Sequence, residues 1–97
     1  MEQLLKASLP FLANDLEFEV SKPTATDAYY TDGLATGSFL KLIVHSNKHT
    51  INVYLFPSGS YYATSMPQEI QSILDGWLET VRSKKIEQES HLSRLHK

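Results

Sequence analysis

The sequence predicts an α+β fold, a two-layer sandwich with helices packed on one face of an antiparallel sheet of about four strands, in the order α-β-loop-β-β-β-α. Three observations lead there. Residues 39–64 alternate apolar and polar positions and are broken twice by turn residues, which is the signature of consecutive hairpins. Residues 70–81 instead repeat their apolar side chains at helical spacing, giving one broad stripe that must face a core. The chain has 97 residues, 41% of them apolar, enough for one modest core and too few for two.

Glu2 to about Asn14 carries Leu4, Leu5, Ala7, Leu9, Phe11 and Leu12 and reads as a helix. Pro10 disturbs it, because an interior proline lacks the bonding amide and clashes with the preceding turn. Ser8 is placed to cap a fresh turn, so a kink or two short helices is expected. Asp15–Ser21 then alternates Leu16, Phe18 and Val20 against Glu17 and Glu19, as a half-buried edge strand does. Charges on such an edge also discourage pairing between molecules.

Residues 22–37 form the longest irregular stretch, and loops of this length in a small domain are usually functional or mobile. Tyr29 and Tyr30 are suited to anchor it, and Asp32-Gly33 marks a tight turn. Asp27, Tyr29, Tyr30 and Asp32 are its candidate partner-binding residues. A short extra strand over 28–31 is a further reading.

Phe39–Ser46 and His49–Phe56 flank Asn47-Lys48, and asparagine tolerates the positive φ of a two-residue hairpin turn. Counting outward puts Val44 opposite Ile51, Leu42 opposite Val53 and Leu40 opposite Leu55. All six are apolar and share one face, and a slip of one residue would scatter them. With Ser58-Gly59 as the next turn, Leu55 pairs with Tyr62 and Val53 with Thr64, so Tyr62 joins the core face. The other face then holds Phe39, Lys41, Ile43, His45, Thr50, Asn52, Tyr54, Phe56, Tyr61 and Ala63, with Lys41 facing Tyr54. It is more aromatic than a solvated face. Either this chain or a second copy covers it, or it binds a partner. Phe39, Lys41, His45, Tyr54, Phe56 and Tyr61 complete the candidate partner-binding set.

Ser65 and Gln68 stand at capping-box spacing before the last helix, and Pro67 suits a first turn. Ile70, Ile73, Leu74, Trp77, Leu78 and Val81 make its apolar stripe, with Trp77 expected to be heavily buried. After Val81 the stripe ends. Residues 1–85 are expected to form the domain, and 86–97 a polar tail, frayed helix or disordered.

Composition removes several function classes. Without cysteine there is no disulfide or thiol chemistry. The N-terminus lacks the basic start and apolar run of a signal peptide, and no stretch approaches the ~18 apolar residues of a membrane span. A cytoplasmic protein with no membrane contact is therefore expected. The net charge of −2 is unevenly spread. Glu2, Asp15, Glu17, Glu19, Asp27 and Asp32 face only Lys6 and Lys22 in residues 1–33, whereas Arg82, Lys84, Lys85, Arg94 and Lys97 face only Glu87 and Glu89 in the tail.

His45 and His49 flank a turn with no third ligand fixed beside them, so no metal site is assigned. The glycines form no phosphate-cradling loop, and no nucleophile elbow occurs. No catalytic residue, metal or cofactor is assigned. The reading that remains is a small non-catalytic binding or regulatory protein, of inhibitor or adaptor type. It acts through a protein–protein interface on the aromatic sheet face and the 22–37 loop, and homo-oligomers are within its scope. The alternative is a single-stranded nucleic-acid binder stacking bases on the same face, with Lys41, His45 and Lys48 beside the rings. The third is a small enzyme whose site is assembled from distant residues.

Overall fold

Alternation along 40–55 dictates a hairpin, and the register follows from which side chains must leave water. In the computed structural model, residues 2–46 and 49–95 are described, with side chains given as far as Lys84. The elements are α1 (Glu2–Leu12), β1 (Glu17–Ser21), α2 (Ala25–Tyr30), β2 (Leu40–His45), β3 (Thr50–Leu55), β4 (Tyr61–Ala63) and α3 (Gln68–Leu95). The four strands form one antiparallel sheet in the order β1-β2-β3-β4. The expected α+β class holds, with one helix more than expected. The 22–37 loop contains α2, so Ala28–Tyr30 is helical and the extra strand over 28–31 does not form.

The β2–β3 register is the one that hydrophobic alternation requires: Leu40 opposite Leu55, Leu42 opposite Val53, Val44 opposite Ile51. Asn47 and Lys48 lie outside the described residues. Ser46 N donates to His49 O at 2.9 Å across them. Phe18 and Val20 of β1 continue the same face opposite Val44 and Leu42.

The β3–β4 register is one residue away from the expected one. Leu55 pairs with Tyr61, Tyr54 with Tyr62 and Val53 with Ala63. The reason lies in the connection, which spends three residues rather than two. Gly59 N donates to Phe56 O, Phe56 N donates to Ser60 O, and Gly59 sits at φ +92°. A turn followed by a left-handed glycine is the three-residue hairpin solution. Because side chains alternate, that single residue exchanges the faces of the whole strand. Tyr61 packs against the core and Tyr62 takes the opposite face.

α1 and α3 close the core face. Leu5 and Leu12 meet Leu74, Trp77, Leu78 and Val81 over the sheet's aliphatic rows. Trp77 is buried, and its indole N–H donates to Ser8 O at 3.0 Å, tying the two helices together. Pro10 neither splits nor ends α1 but falls inside its final turn, where its missing amide forfeits a single bond, the one that would reach back to the Lys6 carbonyl. α3 starts at Gln68 rather than Ser65, with the Pro67 carbonyl accepting from Gln71 N. It is helical to Leu95, and the side chains of 85–97, which include the expected polar tail at 86–97, lie outside the described residues.

Candidate functional site

A six-residue helix is too short to persist alone in water, so α2 exists because its ends and one side chain are fixed. At its start, Thr24 is extended (φ −116°, ψ 169°) and its side chain accepts from Asp27 N, while the Asp27 carboxylate accepts from Thr24 N at 2.8 Å. This reciprocal capping box satisfies two otherwise free amides. At its end, Gly33 N donates to Ala28 O and Asp32 N to Tyr29 O, the paired bonds of a Schellman closure. That closure needs a left-handed residue, and Asp32 supplies it at φ 52°, followed by Gly33 at φ 82°. The buried Thr31 hydroxyl donates to Asp27 O and accepts from Ala35 N, so the chain after the helix is fixed as well.

The side chain of Asp27 then docks the helix on the second face of the sheet. Its Oδ1 accepts from Lys41 Nζ at 2.7 Å and from Tyr54 OH at 2.9 Å. Its Oδ2 also accepts from Thr24 Oγ1 at 2.9 Å. Lys41 chiefly, and then the other donors against the opposing cost of burial, hold the Asp27 carboxyl far below the usual carboxylate range. Burial, reinforced by the neighbouring Asp27 carboxylate, pushes the Tyr54 hydroxyl up to about 12. The cluster is a closed, satisfied network, and among the described residues no buried side-chain N or O atom lacks a partner.

This network decides the fate of the aromatic sheet face. Tyr54 is only 2% exposed beneath α2, and Lys41 is committed to Asp27, so neither is displayed for a partner. Asp27 is buried as well and acts as the fastener rather than as a contact. Phe39 lies against the helix-side core, with Lys6 of α1 5.8 Å from its ring centroid, and so leaves the open face. Tyr61 left that face with the register change, and its hydroxyl donates to Asp75 of α3 at 2.8 Å. Burial and that carboxylate push its hydroxyl up to about 12. Phe56 is half-buried at the end of β3. His45 alone of the strand candidates stays exposed on that face, 3.4 Å from Glu19 Oε2. Among the described residues the face is thus covered in part by the chain itself, and Phe39, Tyr54 and Tyr61 are not displayed on it.

The loop candidates fare differently. Tyr29 is 79% and Tyr30 76% exposed, with Leu34 at 57% close behind in sequence. The two rings meet edge to face, with centroids 5.5 Å apart at 75°. Together with Asp32, Ala28 and Gly33 they line an open notch of about 530 Å³. Leu34 was the residue sequence reasoning passed over. Its one signal was an apolar side chain next to a glycine turn. A larger groove of about 770 Å³ lies between the start of β1 and that of α3, with His45 and His49 on its wall. Among the described residues no three His, Asp or Glu side chains come together as a metal-ligand set. No helix among them is long and apolar enough to cross a membrane.

Comparison of the chain with protein-family models, with curated proteins and with solved structures finds no significant match.

Proposed function

We propose that the protein is a non-catalytic binding module that engages another protein through the ridge of α2 and the turn after it. The observation that carries this reading is the exposed Tyr29–Tyr30 pair, with Leu34, on a helix fastened to the sheet by buried Asp27. Large aromatic side chains displayed to water cost solubility, and desolvated tyrosines are among the strongest contributors to protein interfaces. Their support is rigid. A pre-ordered contact gives up little conformational entropy on binding, which favours recognition by this segment over recognition by a loose loop.

The test is the double substitution Tyr29→Ala/Tyr30→Ala. Both side chains are exposed, so the unfolding free energy should move by no more than about 0.5 kcal/mol. Affinity capture and light scattering with the full chain should show the loss of the partner, or of self-association if the partner is a second copy. Partner retention equal to that of the wild type would remove the ridge from consideration.

A further inference from the structure

The notch on the α2 ridge has a definite chemistry. Tyr29 and Tyr30, whose rings stand at 75° to one another, line it together with the acidic residue Asp32. Among the described residues its lining contains no cationic side chain, since Ala28 and Gly33 complete it. Aromatic faces carry partial negative charge and attract cations, and a carboxylate at the rim adds an ion pair to that attraction. Asp32 is the one charged residue among those lining it. The lysine of β2 on the face beneath α2, Lys41, is engaged by Asp27.

Resting on the reading of the ridge as a protein-binding surface, we infer that the Tyr29–Tyr30–Asp32 notch receives an arginine side chain of the partner. Arginine fits better than lysine because its guanidinium is flat. It stacks on a ring and still presents a two-pronged edge to a carboxylate, whereas an ammonium is a compact and strongly hydrated point charge. The backbone geometry supports the placement of the acid. Asp32 occupies the left-handed position that ends α2, so its position relative to the tyrosines is set by the helix closure rather than by a free loop.

The experiment titrates the full chain, labelled with ¹⁵N, with the blocked peptide acetyl-Gly-Ser-Arg-Ser-Gly-amide. The citrulline and lysine versions of the peptide serve as controls. The arginine peptide should shift the amides of residues 28–33 saturably. Its affinity should exceed that of the citrulline peptide by about fivefold or more, the order expected for loss of the cation. Tyr29→Leu and Tyr30→Leu, which keep apolar bulk and remove the ring, should each weaken it severalfold. Asp32→Asn, which keeps a residue tolerant of the left-handed conformation, should do the same and flatten the dependence on salt. Equal binding of the citrulline peptide, or unchanged affinity in all three variants, overturns the inference. If Tyr29→Ala/Tyr30→Ala abolishes partner capture while the arginine peptide stays silent, the ridge stands and the guanidinium is excluded. If the peptide binds as expected and partner capture is unchanged, the notch takes arginine and the ridge is not the partner's contact.

Discussion

Asp27 holds more of this molecule together than any other polar side chain described. One carboxylate accepts from Thr24, Lys41 and Tyr54, joining a capping box to two neighbouring strands. Removing it leaves the half-buried Lys41 charge and the sealed Tyr54 hydroxyl without their acceptor. Asp27→Ala should therefore cost about 3 kcal/mol, within the range for breaking a buried ion pair, read from urea unfolding. Lys41→Met should cost less, because the carboxylate keeps its donors from Thr24 and Tyr54. The pH dependence has a fixed sign. The folded state holds the Asp27 carboxyl well below its unfolded value of 3.8, so its contribution is complete above about pH 5 and is lost progressively as pH falls below about 4. Asp27→Ala should remove that part of the acid dependence, seen as a shallower loss of stability between neutral pH and pH 3.

At the level of elements, the decisive feature is the three-residue connection from β3 to β4. Gly59 adopts φ +92° and closes the turn to Phe56. Its carbonyl also accepts from the Arg82 guanidinium of α3 at 3.1 Å. A side chain at a left-handed position costs about 1–2 kcal/mol, so Gly59→Ala should destabilise the protein by that amount. The measurement is the denaturation midpoint, together with amide exchange in Tyr61–Ala63, which should accelerate more than that in β2. α2 teaches the complementary lesson. Its six residues carry no hydrophobic stripe of their own, and its persistence comes from caps at both ends and one buried carboxylate. Local chemistry at the termini, rather than propensity along the segment, makes it a helix.

On the scale of the whole molecule, the sheet is covered unequally. One face is covered by α1 and α3 over the aliphatic rows of β2 and β3, which are almost wholly buried, while Val20 of the edge strand β1 stays 49% exposed. The other is covered by α2 above Lys41 and Tyr54, leaving His45 and Glu19 in solvent. Trp77 is the bridge on the sealed side, packed in the core and bonded to the Ser8 carbonyl. Trp77→Phe keeps most of the apolar bulk and deletes the donor. It should cost about 1–3 kcal/mol, the lost hydrogen bond and the incomplete filling of the site together, measured by urea unfolding followed by circular dichroism. The proposed binding ridge stands on the opposite side of the sheet from this core, so surface changes at Tyr29 and Tyr30 and core changes at Trp77 should act independently.

Period-two alternation and the cost of exposing aliphatics were enough, from the chain alone, to determine the fold class, β1 as an edge strand, the β2–β3 register and the stripe of α3. Those features depend on neighbours in sequence or on a parity that permits one answer. Tertiary structure alone decided the rest. The β4 register turned on whether a turn takes two residues or three, a difference of a single glycine conformation that reverses a strand's faces. The fate of the aromatic face turned on Asp27 reaching Lys41 and Tyr54, 14 and 27 residues away. A contact at that separation leaves no periodic trace, because it arises only after the sheet has brought the partners together. Asp27, Lys41, Tyr54, Tyr29 and Tyr30 were all legible as residues of interest. Which of them face inward and which outward is a property of the folded surface.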